Sequence, residues 1–207
     1  MRVSLSYITS TSAVARLRHD TESGFGPHTL DPLGYDAGSG SLYLLEHFDD
    51  ETGDLPQLYV MHTGGSHVGR LTPVRSWYQG PLVEVEAQFE ARLRALRATL
   101  MELRTLPTDT LFLRTRVTKR RALRLYQDQP PVRKYELRLT VRPTDPGPAV
   151  ASIGASELVT AYLRPRARIV DVLRVPGASL ALALIEYIGL PFELGYTKQA
   201  ALLVPLT

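Results

Sequence analysis

The residues best suited to chemistry are the basic side chains between Arg104 and Arg142. This stretch carries eleven basic groups against Asp109, Asp128 and Glu136, a net of +8, while the whole chain of 207 residues carries +3. Within Lys134-Tyr135-Glu136-Leu137-Arg138-Leu139-Thr140-Val141-Arg142, apolar and polar residues alternate as in a strand with one buried face. The same alternation runs through Leu111–Val117. It predicts one sheet face bearing Arg114, Arg116, Arg124, Arg138 and Arg142, with Lys119-Arg120-Arg121 projecting from the preceding turn. Same-face residues recur about every 6.5–7 Å along a strand and about 4.8 Å across strands, a lattice close to the phosphate spacing of a nucleic-acid strand. Tyr126 offers a stacking surface of the kind single-strand binders use. Like charges facing one another on a sheet repel, so the face gains from a polyanion or an acidic surface laid over it.

Arginine also suits this chemistry by type. Only Lys119, Lys134 and Lys198 are lysines among 24 basic residues, and the guanidinium is the better bidentate partner of phosphate or carboxylate. A GC-rich codon habit accounts for the ratio equally well, so the argument rests on position. No RNA- or DNA-binding signature accompanies the segment; the glycine and aromatic pattern of an RRM is absent.

His62-Thr63-Gly64-Gly65-Ser66-His67 is the second candidate. Two histidines beside a tight turn, with Glu46, His47 or Asp49, make the donor set of a divalent metal; alternatively the glycine amides face a phosphate. A plain Gly-Gly turn explains the same residues. Asp49-Asp50-Glu51-Thr52-Gly53-Asp54 resembles a calcium loop only superficially, without its alternating acceptors and closing Glu, and reads as a hairpin turn. Serine-hydrolase elbows, phosphate loops, dinucleotide fingerprints and His-Glu-x-x-His are absent. With no cysteine in the chain, disulfides, thiolate nucleophiles and cysteine-held metals are excluded. No cofactor is implied.

The elements that must position these residues follow from periodicity. Val85, Phe89, Leu93, Leu96, Leu100 and Leu103 recur at three and four, predicting a helix over 82–104 bounded by Pro81 and Pro107. Residues 41–72 read as an antiparallel meander, Val3–Ile8 as a strand and 20–41 as loop-rich. Strands over 111–117, 122–126 and 134–142 make a three-stranded sheet packed on the helix. Beyond a linker at 144–148, Ser156–Leu163 and Ala178–Ile188 read as helices, Arg166–Val175 as either type, and Tyr196–Val204 as a strand. Trp77 is a packing residue ahead of the helix. The expected fold is α+β: antiparallel β-sheets packed around a long central helix, with a smaller α/β C-terminal part. One domain over 1–207 is expected, divisible into 1–80, 81–143 and 149–207. Residues 1–80 carry five basic and nine acidic groups, so the acidic first part is a candidate cover for the basic face.

No run approaches the roughly 18–20 apolar residues of a membrane span, and the N-terminus lacks a signal-peptide pattern; a cytoplasmic location and no membrane partner are expected. The functional expectation is a non-enzymatic binding or assembly component that engages an anionic partner through Arg114, Arg116, Lys119, Arg120, Arg121, Arg124, Arg138 and Arg142. That partner is an acidic protein surface, another copy of the chain, or nucleic acid. The alternative is a metal-assisted hydrolase or nuclease using His62, His67 and a carboxylate in the 46–67 hairpin region.

Overall fold

The longest apolar run decides the architecture. Leu180–Leu190 holds five consecutive buried residues, Ala181 to Ile185, and it is a strand. A strand covered on both faces needs apolar residues at every position, so its sequence loses the period of two and cannot be told from a buried helix. The helix expected over 178–188 is corrected on this ground. The computed structural model describes residues 27–48, 55–144, 154–191 and 195–206.

Among these residues the strands are β1 (His28–Asp36), β2 (Ser41–Phe48), β3 (Gln57–His62), β4 (Leu71–Pro73), β5 (Arg104–Thr105), β6 (Leu111–Leu123), β7 (Val132–Pro143), β8 (Ala155–Tyr162), β9 (Ala167–Arg174), β10 (Leu180–Leu190) and β11 (Tyr196–Pro205). A single α-helix, α1 (Leu82–Arg97), lies between β4 and β5. The strands form three antiparallel sheets, ordered β1-β2-β3-β4, β11-β10-β9-β5 and β6-β7-β8.

The sheets stack. Ala181, Ala183 and Ile185 of β10, with Ala200, Leu202 and Val204 of β11, pack against Leu137, Leu139, Val141 and Val159 of the third sheet. The intervening residues Leu182, Leu184, Ala201 and Leu203 face the other way, onto Leu30, Leu42, Leu44 and Met61 of the first sheet. The second sheet is therefore the middle layer, and each of its faces buries apolar area at about 25 cal/mol per Å². Helix α1 forms a fourth layer on the outer face of the first sheet, where Val85, Phe89 and Leu93 meet Leu45, Leu58 and Tyr78. Trp77 packs edge-on against Phe89 at 5.8 Å, as a packing residue should.

The expected α+β fold around a central helix is thus wrong: the molecule is mostly antiparallel β, and the helix caps one side. The third sheet packs on the middle sheet, not on α1. Its third strand is β8, where a helix was expected over 156–163; residues 122–126 only finish β6 and enter a turn. Arg166–Val175 resolves to β9. The helix also ends early. Ala98 closes it, and Met101 instead exchanges two backbone hydrogen bonds with Tyr35 of β1 at 2.9 and 2.8 Å. Leu103, the last residue of the helical stripe, is half-buried against the core between the first and second sheets. Within the supposedly loop-rich 20–41, residues 28–36 form β1, with a bulge between Pro32 and Gly34. The meander from β2 and the final strand agree with expectation. The proposed strand at 3–8, the turn at 49–54 with its calcium-loop likeness, and most of the 144–148 linker lie outside the described residues. Among those described, no helix is long and apolar enough to cross a membrane.

Candidate anionic-partner interface

Strand pairing fixes which side chains share the outer face of the third sheet. Residues paired across an antiparallel ladder point to the same side. Phe112 pairs with Arg142, Arg114 with Thr140 and Arg116 with Arg138. The alternate residues Leu137, Leu139 and Val141 are fully buried on the inner side. Because that inner side is anchored, the register cannot slip by one without exposing the core.

A bulge between Val117 and Lys119 resets the alternation; the Thr118 hydroxyl donates to the Glu136 carbonyl there at 3.0 Å. After it, Lys119 pairs with Glu136 and Arg121 with Lys134, while Arg120 pairs with Tyr135 and turns to the opposite face. The outer face therefore holds Arg114, Arg116, Lys119 and Arg121 from β6 and Lys134, Arg138 and Arg142 from β7. Its one acid, Glu136, is engaged by Lys119 at 3.3 Å. Arg114, Arg116, Arg138 and Arg142 are exposed, so the described part of the acidic first half does not cover them; its strands β1–β4 pack on the far side of the middle sheet. At the distal end a groove of about 330 Å³ is lined by Lys119, Arg121, Lys134, Glu136 and Thr160, among others.

Two expected members leave the face. Arg124 lies in the turn after β6, where it donates to the Gln127 carbonyl at 3.4 Å, and exposed Tyr126 shares that turn. Arg120 stands over the ring of Tyr135 at 6.0 Å on the inner side. The Lys119-Arg120-Arg121 run is thus strand, split between two faces, and not a turn cluster. Sequence reading also passed over two exposed apolar residues. Phe112 lies beneath the Arg142 guanidinium at 5.2 Å, and Leu158 of β8 sits opposite Arg138. Phe112 was findable, since it shares the parity of Arg114 and Arg116; Leu158 was hidden by the helical reading of its segment.

His62 and His67 do line one depression, of about 570 Å³, but their companions there are Arg70, Leu71, Thr72, Pro73 and Arg75. Two arginines raise the local positive potential and disfavour a cation. His62 is also tied to Ser41 at 2.9 Å. Of the carboxylates proposed to join them, Glu46 is held elsewhere, by His28 at 3.3 Å and the Tyr59 hydroxyl at 2.9 Å. His47 lies 4.0 Å from Asp31. Among the described residues no group of three or more His, Asp or Glu side chains is placed to hold a metal. The His28–Glu46–Tyr59 chain is an interior link between strands β1, β2 and β3. Burial and the Glu46 carboxylate together push the Tyr59 phenol above the usual tyrosine range, which keeps it a hydrogen-bond donor.

Compared with protein-family models, curated proteins and solved structures, the chain matches none.

Proposed function

We propose that the protein is a non-enzymatic binding component that engages an anionic partner through the outer face of β6 and β7. One observation carries the reading: seven basic side chains share this face with a single described acid, which is already paired, and six of the seven are exposed, Lys134 alone being half-buried over the Tyr162 ring. Self-protection is too small an explanation. Charges that guard an edge against unwanted pairing lie on the edge strand itself, whereas Lys134, Arg138 and Arg142 lie on the central strand β7, and seven like charges on one face raise its electrostatic energy. That excess is relieved when a polyanion neutralises it and counterions are released.

The test uses heparin as a generic polyanion. The wild-type protein is expected to be retained on heparin–agarose and to elute only at raised salt. The combined substitution Arg114→Glu, Arg116→Glu and Arg138→Glu is expected to abolish retention while leaving the circular dichroism spectrum unchanged. Retention that survives the triple substitution in a folded protein sinks the proposal.

A further inference from the structure

From Arg116 to Ala122 every residue of β6 is exposed, where the proximal half of the same strand still alternates with the core. The change means that no described residue covers either face of β6 at this end. β6 is also the edge of its sheet. The bulge then distributes charge over both faces: Arg116, Lys119, Arg121 and Lys134 on the outer one, Arg120 and Arg133 on the other, since Arg133 pairs with Ala122 on the Arg120 side. Between Arg116 and Lys134 there are seven basic residues and one acid, Asp128.

A flat acidic protein surface would meet only one of these faces. Two walls of negative charge meet both. We infer that the distal end of the β6–β7 hairpin, led by the open edge of β6, enters the major groove of double-stranded DNA, with phosphates of the two strands on either side of it. This rests on the anionic-partner reading above and narrows it. β8 flanks β7 as far as Lys134 and Tyr135 is buried, so the parts clear to enter are β6 and the hairpin end beyond Lys134. The B-form major groove, about 12 Å wide and about 8.5 Å deep, admits a β-ribbon of that size, with strands about 4.8 Å apart. The minor groove, about 6 Å wide, does not. The A-form major groove of duplex RNA is too narrow and deep for the same entry. The open edge of β6 adds backbone amides, which are ordinary phosphate donors.

The experiment measures anisotropy of a labelled 20-base-pair DNA duplex, an RNA duplex of the same sequence, and polyglutamate, each titrated with the full chain. DNA is expected to bind at least ten times more tightly than RNA or polyglutamate, with affinity falling steeply as salt rises. Arg120→Glu with Arg133→Glu, which alters only the inner-face charges, is expected to weaken DNA binding by at least tenfold. Arg120→Gln with Arg133→Gln, expected to weaken it less but measurably, serves if the glutamates disturb the Tyr135 contact. Equal binding of the two duplexes, preference for polyglutamate, or DNA affinity untouched by both inner-face pairs overturns groove entry. In each of those cases heparin retention that still depends on Arg114, Arg116 and Arg138 leaves the broader reading standing. Loss of that dependence removes both.

Discussion

Arg116 and Arg138 are direct partners across the β6–β7 ladder, two exposed guanidinium groups on one face of the sheet. Neither has an acid beside it among the ion pairs of the described residues, because the one described carboxylate on that face, Glu136, is paired with Lys119. Like charges at such positions cost roughly 0.2–1 kcal/mol. The sheet tolerates this because its inner face is held by Leu137, Leu139 and Val141.

Arg138→Glu should therefore stabilise the fold while it weakens binding. Opposite charges would now face each other, and the gain of roughly 0.2–1 kcal/mol corresponds to about 0.4–4 °C in a domain of this size. Thermal unfolding at low ionic strength, run beside the heparin assay, checks both halves. The stabilisation should shrink as salt screens the pair. A melting temperature that falls, with binding intact, would show that Arg116 and Arg138 are not paying a cost for function.

Gly34→Ala tests the crossing that ends the helix. Gly34 sits in the β1 bulge with φ of +146°, and a Cβ there would meet the Leu100 Cβ and the Met101 carbonyl oxygen, each at 2.8 Å. Neither obstacle is the free end of a flexible chain, since Met101 is bonded to Tyr35 through both backbone groups. Strain of this kind costs about 1–3 kcal/mol. Urea unfolding should show that loss with little change in slope; a change below about 0.5 kcal/mol, the range of an ordinary surface substitution, would mean that the crossing gives way easily.

What sequence could and could not reveal follows from burial. The β7 alternation was legible because one face meets the core and the other meets water. So was the stripe Val85, Phe89 and Leu93, for the same reason on a helix. β10 was misread because the middle sheet is covered twice, which erases the period. β8 was misread because its inner residues Val159 and Ala161 are flanked by an exposed Leu158, so hydrophobicity no longer marks the buried side. The basic face was found through parity, but the bulge at Thr118 was not, and it alone decides that Lys119 and Arg121 join the face and Arg120 leaves it. Leu100 and Leu103 kept helical spacing beyond the point where backbone pairing with Tyr35 ends the helix.

Tyr78 gives a prediction in pH. Its hydroxyl donates to the Pro56 carbonyl and accepts from the Leu58 amide, both at 2.6 Å, fastening the start of β3 beneath α1. Burial pushes its phenol up to about 12 from an ordinary value of 10.0, a shift that the Leu58 hydrogen bond partly offsets. A group whose folded-state value is raised contributes stability that is complete below its unfolded value. For Tyr78 that contribution is therefore whole below pH 10 and lost as pH climbs from about 10 to about 12. Tyr59 and Tyr187, both raised chiefly by burial, act in the same direction. Tyr78→Phe should cost about 1–3 kcal/mol at neutral pH, because it leaves the Leu58 amide and Pro56 carbonyl without their partner. It should also flatten, without abolishing, the decline between pH 10 and 12. Urea unfolding of both proteins at pH 7, 10 and 11.5 measures the difference; a gap between them that stays constant across the three values would show that the Tyr78 phenol titrates alike in the folded and unfolded chain.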